Sequence, residues 1–97
     1  MSWSQVLRLI ENGEVRGKVI RAISGSWFEV RLKDLALAIW SGATDDELKG
    51  KGRLLAKTLR EHGTVIVKKN GVRWAYIPVS ESLVTLKMGK LRWNKNA

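Results

Sequence analysis

Apolar and polar positions alternate with a helical period at the start of the chain. The apolar positions there are Trp3, Val6, Leu7 and Ile10. Their spacing of i, i+3, i+4 and i+7 places them on one face of an α-helix. Ser2 and Gln5, three residues apart, fit a capping box, and Asn12-Gly13 is a stop signal. The pattern therefore predicts a helix over residues 3–11.

Residues 14–24 fit two different elements. Val15, Val19 and Ile23 fall on one helix face at i, i+4 and i+8. Gly17 opposes a helix, because glycine costs a helix interior about 1 kcal/mol relative to alanine. We favour a helix for this segment, and the alternative is a strand.

The next segment changes from a strand pattern to a helix pattern. Residues 27–30 are rich in side chains that favour strands. Residues 31–40 then carry apolar side chains at helical spacing, which predicts a second helix. Its expected buried stripe is Leu32, Leu35, Ala36 and Ile39. The small residues Ser41-Gly42-Ala43 end it.

A strong signal for the start of another helix follows this break. Thr44 fits an N-cap, Glu47 completes a capping box, and the two aspartates between them suit the positive end of the helix dipole. Gly50 and Gly52 follow closely and weaken the helical pattern. We therefore expect a short helical turn, a kink, and a main helix over residues 52–62.

A β-hairpin is predicted after the main helix. Two strand-forming runs, residues 64–68 and 72–79, flank Lys69-Asn70-Gly71. Asn-Gly is the strongest short hairpin signal because both residues accept positive φ. Pro78 lies near the end of the second run, where a missing N–H costs little. Residues 80–97 are expected to form a further strand or a basic arm.

Positive charge is concentrated in the second half of the chain, whose formal net charge is +9 overall. Residues 1–48 hold six basic and seven acidic side chains, a net of −1, and residues 49–97 hold twelve basic and two acidic ones, a net of +10. Such self-repulsion does not stabilise a fold, and the usual reason to keep it is a polyanionic partner. The distribution predicts nucleic-acid binding. The alternative is a soluble basic protein without a specific partner.

Composition argues against catalysis and against metal or cofactor binding. The chain has no cysteine, and its single histidine, His62, leaves too few ligands for a histidine metal site. Asp45, Asp46 and Glu47 are consecutive, so they do not converge on one site, and helix capping accounts for them. We expect no enzyme activity and no cofactor.

We also expect no membrane partner and an intracellular location. The chain has no run of 18 apolar residues and no signal-peptide pattern. The location expected is the cytoplasm, or the nucleoid in a prokaryote.

The candidate contacts to nucleic acid lie on the main helix, the hairpin and the tail. At 100° per residue, Arg53, Lys57 and Arg60 fall on one side of the helix with Ala56 beside them. The opposite side carries Leu54, Leu55, Thr58, Leu59 and His62, and its leucines are expected to be buried. Ala56 would keep the basic side low enough to approach a groove, with the helix N-terminus meeting base edges. The full set of candidate DNA-binding residues is Lys49, Lys51, Arg53, Lys57, Arg60, Lys68, Lys69, Asn70, Arg73, Lys87, Lys90 and Arg92.

The order of predicted elements from residue 14 onward resembles a winged helix-turn-helix. The resemblance is carried by the segments Phe28–Ala36, Leu54–Gly63 and Lys68–Trp74, which match a strand running into a helix, a recognition helix and a wing. The basic Asn-Gly turn followed by Arg-Trp is similar to the winged-helix domains at the ends of viral and plasmid primase-helicases. One departure is Ser41–Gly52, which is longer than the usual three- or four-residue turn.

This resemblance implies a single α+β domain. Its parts would be an extra N-terminal helix in residues 1–13, a winged-helix core of three helices and a hairpin in residues 14–79, and a basic C-terminal extension in residues 80–97. It also implies binding to double-stranded DNA, as a regulator or a replication accessory factor.

Two other functions stay open at the level of sequence. Trp74 and Tyr76 share one strand face and, with Trp93, are able to stack the bases of single-stranded DNA or RNA. The favoured interpretation of Trp74 and Tyr76 is instead that they cover the core. The second alternative is a protein-interaction subunit. Its apolar N-terminal helix, through Trp3 and Val6, would pair with a second copy, and such a homodimer is also compatible with DNA binding.

Overall fold

Residues 2–80, which the computed structural model describes, form a mixed α+β arrangement of three helices and a four-stranded antiparallel sheet. In chain order the elements are α1 (Trp3–Glu11), β1 (Lys18–Ala22), β2 (Gly25–Arg31), α2 (Leu32–Ile39), α3 (Asp45–Glu61), β3 (Val65–Lys69) and β4 (Val72–Val79). Among these helices, none combines the length and the apolar character that crossing a bilayer requires. The predicted C-terminal strand or arm lies almost wholly outside the described residues.

The sheet has the strand order β1-β2-β4-β3. The central pair, β2 and β4, runs from Ser26 opposite Val79 to Arg31 opposite Trp74. The edge strands β1 and β3 are each joined to a central strand by a two-residue loop. Because side chains alternate between the two faces of a strand, this register fixes which residues share a face.

One face of the sheet is buried under all three helices. On the central strands the buried side chains are Phe28, Val30, Ala75 and Ile77, each no more than 1% exposed. The helices complete this core with Val6, Ile10, Leu32, Leu35, Ala36, Leu55, Ala56 and Leu59. Removal of these apolar side chains from water is the main force that holds the helices on this face.

Helix α1 has the predicted bounds and belongs to the core. The hydroxyl of Ser2 accepts a hydrogen bond from the backbone N–H of Gln5 at 3.3 Å, as an N-cap does. Val6 and Ile10 are fully buried in the same cluster as the sheet. The prediction of an extra helix in front of a three-helix core is wrong, because residues 2–80 contain three helices and α1 is one of them.

The helix favoured for residues 14–24 is wrong, and a strand occupies this position. Residues 18–22 pair with 25–29 of β2, and the loop between the strands leaves Ile23 fully exposed, where a helix would have buried it. The strand forms because Gly17 allows the chain to pass directly over Phe28. This contact is made across the sheet and is not visible in the local periodicity.

The kink expected at Gly50 and Gly52 is also wrong, because α3 is continuous from Asp45 to Glu61. Packing of the helix against α2 and the sheet outweighs the propensity cost of two glycines, about 2 kcal/mol in total. The connection between α2 and α3 is therefore only residues 40–44, and the long insertion expected at Ser41–Gly52 does not exist.

The hairpin formed by β3 and β4 is confirmed. Asn70 has φ of 51° and Gly71 has φ of 80°, so both residues adopt the positive φ that a type I′ turn requires. The two-residue turn places Lys69 opposite Val72. The register that follows puts Arg73 and Ala75 on one face of β4 and Trp74 and Tyr76 on the other. The prediction that these two aromatic residues share a face is correct.

Gly17→Ala should destabilise the fold. A Cβ at residue 17 would press on the ring of the buried Phe28 and lie 2.6 Å from the backbone oxygen of Glu29. Overpacking of this kind costs about 1–3 kcal/mol, so the free energy of unfolding should fall by that amount in urea denaturation. Gly50→Ala is the matched control, because a Cβ there meets open space and alanine favours a helix by about 1 kcal/mol. A neutral Gly17→Ala variant would contradict the close approach of these strands.

Candidate nucleic-acid interface

The N-terminus of α3 is fixed by a complete capping box. The backbone N–H of Glu47 donates to Oγ1 of Thr44 at 3.2 Å, and the backbone N–H of Thr44 donates to Oε1 of Glu47 at 3.1 Å. The backbone N–H and the hydroxyl of Thr44 both donate to Oε1 of Glu47, and these two hydrogen bonds lower the pKa of the Glu47 carboxyl group, with a further contribution from the positive charge of Lys51. The cap fixes where the helix begins and hence the direction in which its later cations project.

The sides of α3 differ in part from the prediction. Leu55 and Leu59 are buried as expected, but Ala56 is also buried, at 3% exposure, and Leu54 is 53% exposed. The buried stripe is Gly52, Leu55, Ala56 and Leu59, spaced as i, i+3, i+4 and i+7. Ala56 therefore packs in the core and does not lower a basic surface. The expected cations Arg53, Lys57 and Arg60 are exposed.

Arg73 brings the hairpin against α3. The strand register places Arg73 on the face of β4 that carries the buried Ala75. A Cβ built at Gly52 would lie 3.6 Å from Nη2 of Arg73, so the guanidinium lies beside this turn of α3. The arginine thus lies at van der Waals distance from this turn of the helix.

An open groove runs between the start of α2, the first half of α3 and the β3–β4 hairpin. Its cations come from all three of these elements and are Arg31, Lys33, Lys49, Lys68 and Arg73. Two carboxylates, those of Asp34 and Asp45, also line it. Counted over the described residues 2–80, five positive and two negative side chains give this concave surface a net charge of +3.

Three of the predicted site residues meet in this groove, namely Lys49, Lys68 and Arg73. Five others are exposed but do not line it: Arg53, Lys57, Arg60, Lys69 and Asn70. The last predicted cations, Lys87, Lys90 and Arg92, lie outside the described residues.

Lys51 differs from its predicted role. Its Nζ lies 5.2 Å from the ring centroid of Trp40, at the end of α2, in a cation–π geometry. Lys51 is half-buried by this contact and does not line the groove. Its position therefore separates it from Lys49, Lys68 and Arg73, the predicted site residues that line the groove.

Sequence reasoning missed Arg31 and Lys33. Arg31 ends β2, and its side chain forms a salt bridge of 3.0 Å with Asp34 while remaining 52% exposed. Both residues lie in the half of the chain that has a net charge of −1, so the charge distribution did not indicate them as candidates. The usable signal was local, since two cations flank the junction between a strand and a helix.

The first turn of α3 is acidic, which changes how this helix can meet a polyanion. Asp45 lines the groove, and Asp46 and Glu47 follow it. The main helix was expected to begin near residue 52, with cations at its N-terminus. Because it begins seven residues earlier, Arg53 and Lys57 lie in its middle, and carboxylates occupy the end that was expected to meet base edges.

The remaining ionisable groups do not form a metal site. Within residues 2–80 no group of three or more His, Cys, Asp or Glu side chains is arranged to hold a metal ion. His62 instead stacks on Trp3, with ring centroids 4.4 Å apart and planes inclined by 6°, and its Nδ1 lies 3.0 Å from the backbone oxygen of Thr58. This stack joins the start of α1 to the end of α3.

No protein-family model matches this chain, and neither a curated protein nor a solved structure matches it. The shape and the charge of the groove therefore carry its assignment.

Thr44→Ala should loosen the first turn of α3. Loss of an N-cap hydroxyl costs about 1 kcal/mol, so the free energy of unfolding should fall by roughly that amount in chemical denaturation. Ser41→Ala is the control, because Ser41 is exposed in the loop before the cap. Equal stability of the two variants would contradict the capping box.

The contribution of Glu47 to stability should depend on pH. Its folded-state pKa is depressed, so its stabilising effect is present above the unfolded-state pKa of glutamate and is lost as pH falls through the lower folded-state pKa. The stability difference between wild type and Glu47→Gln should therefore shrink as pH is lowered through this range. Thermal unfolding at several pH values measures it, and a difference independent of pH would contradict the assignment.

Proposed function

We propose that this chain binds double-stranded DNA through the groove between α2, α3 and the β3–β4 hairpin. The observation that carries the proposal is the convergence of five cations from three separate elements on one concave surface. Scattered surface lysines serve solubility, whereas cations gathered in a groove form a continuous track of positive potential. Such a track suits the phosphates that border a groove of duplex DNA.

The arrangement of elements supports a winged helix-turn-helix as the basis of this activity. Helices α2 and α3 are separated by a five-residue connection, and a hairpin with a basic turn follows directly. Strand β2, which precedes the helix pair, lies beside β4 in the sheet. In this interpretation α1 is the first helix of the motif, β3–β4 is the wing, and β1 is an addition at the sheet edge.

The groove favours contact with phosphates over reading of bases. Its cations come from the start of α2, from Lys49 and from the hairpin, whereas the first turn of α3 is acidic. Carboxylates at this end would repel phosphates if the helix entered the major groove by its tip. We therefore place the duplex along the side of α3, with the wing and α2 holding the backbone.

Two apolar side chains give the groove a further property. Leu37 and Val72 both line it and are 38% and 37% exposed. Side chains of this kind pack against sugars or against the methyl group of thymine. Such a surface suits DNA binding with modest sequence preference, which fits a regulator or a replication accessory factor.

Duplex binding should weaken steeply with salt. If the five cations of the groove neutralise about five phosphates, the slope of log K against log salt should be roughly −4.5, measured by fluorescence anisotropy of a labelled duplex. Lys49→Gln with Arg73→Gln should weaken binding at least roughly tenfold and make the slope shallower by about 2. Arg8→Gln with Arg16→Gln removes the same charge from exposed positions outside the groove.

The control pair should change affinity and slope much less than the groove pair. Equal effects of the two pairs would mean that overall charge, and not the groove, attracts the DNA. A wild-type slope weaker than about −2 would contradict phosphate neutralisation altogether.

A further inference from the structure

We propose a second nucleic-acid site on the opposite face of the sheet, which takes the unpaired bases of a single strand. This face points away from the core and carries three aromatic side chains, Trp27, Trp74 and Tyr76. The site is distinct from the groove between α2, α3 and the hairpin. Its chemistry is stacking of bases on aromatic rings, with cations near the backbone.

The strand register defines this outer face. Side chains alternate between the two sheet faces along β4, so those of Trp74 and Tyr76 lie on the face opposite the buried Ala75 and Ile77. On β2, Arg31 pairs with Trp74 and Trp27 pairs with Pro78. The aromatic residues therefore follow one line across the two central strands, from the hairpin end of the sheet to the opposite end.

No helix in residues 2–80 packs on the outer face. All three helices contribute side chains to the core cluster on the inner face, and neither Trp74, Tyr76 nor Trp27 belongs to that cluster or packs against it. The three rings are only half-buried. The favoured prediction that Trp74 and Tyr76 cover the core is thus wrong, and their rings face outward.

The Tyr76 ring is held in place by polar contacts. Nζ of Lys69 donates to the Tyr76 hydroxyl at 2.8 Å, and that hydroxyl donates to Oε2 of Glu29 at 2.9 Å. The hydrogen bond to the Tyr76 hydroxyl raises the pKa of the Lys69 ammonium group, and the negative charge of Glu29 acts in the same direction. A ring held this way loses little conformational freedom when a base stacks on it.

The charge of this face suits a polyanion. Among residues 2–80, the strand register places Lys18, Arg31 and Lys69 on it with a single carboxylate, that of Glu29. Glu29 is already engaged by the Tyr76 hydroxyl and by Lys18, whose Nζ lies 3.7 Å from Oε1. The cations lie near the aromatic line. An acidic protein surface would use only the cations, and a purely apolar one would use only the aromatic rings. Charge and aromatic content together therefore favour a single nucleic-acid strand over a second protein surface.

The outer face and the groove meet at Arg31. This residue lies opposite Trp74 in the sheet and also lines the groove. A strand leaving a duplex in the groove would thus reach Trp74 first. If the duplex proposal also holds, a junction between duplex and single strand should bind more tightly than either part alone.

The test compares ten-nucleotide oligo-dT, oligo-U and a duplex of equal length, each labelled, by fluorescence anisotropy with the full chain. Trp74→Leu should weaken binding of one or both single strands by about five- to a hundredfold, because stacking of one base on an aromatic ring is lost. Trp74→Phe should restore most of it, and duplex binding should change less than twofold. Trp40→Leu is the control for loss of a tryptophan, since Trp40 packs against the core on the other side of the sheet.

Three results would overturn the proposal. The first is absence of single-strand binding by the wild-type chain, and the second is unchanged binding by a folded Trp74→Leu variant. The third is an oligomer, seen in sedimentation, that Trp74→Leu dissolves, which would assign this face to a second copy of the chain. The double variant Lys49→Gln with Arg73→Gln should lose duplex binding and keep single-strand binding, and this result would show that the two sites are distinct.

Discussion

The pairing of β2 with β4 and the burial of one face of this pair hold the molecule together. Phe28 and Val30 on β2 lie beside Ile77 and Ala75 on β4, and all four are sealed from water by the helices. This pairing connects segments that are about half the chain apart. The cost of closing such a loop is repaid by the apolar area that the helices and the sheet bury together.

The same pairing produces two surfaces of different character. It brings Arg31, at the end of β2, next to the hairpin that carries Arg73, so that cations from distant parts of the chain line one groove. Because side chains alternate on a strand, the neighbours of the buried residues must point the other way. The aromatic line on the outer face is therefore the geometric counterpart of the core, and any shift of register by one residue would exchange the two.

Two glycines occupy different settings in this fold. Gly17 lets the chain cross the ring of Phe28, and a side chain there would press on that ring and on the backbone oxygen of Glu29. Gly52 lies within α3, where glycine is unfavourable for helix formation, and a Cβ there would be in ordinary van der Waals contact with the guanidinium of Arg73, 3.6 Å away. Helical periodicity misjudged residues 14–24 although Gly17 opposed a helix, and local propensity misjudged α3, whose packing outweighs the cost of its glycines.

Elements whose signals are local follow directly from the order of residues along the chain. The N-cap of α1 at Ser2, the capping box of Thr44 and Glu47, and the Asn70-Gly71 turn each depend on groups within four residues; the box and the turn have the predicted geometry, and Ser2 caps α1 through the Gln5 backbone N–H. Tertiary structure decided what depends on contacts across the fold. It made residues 18–22 a strand, kept α3 continuous through its glycines, turned Leu54 outward and Ala56 inward, and brought Arg31 and Lys33 into the groove. The physical reason is that burial is settled by packing between distant segments, and its free energy exceeds the differences of about 1 kcal/mol that local propensity supplies.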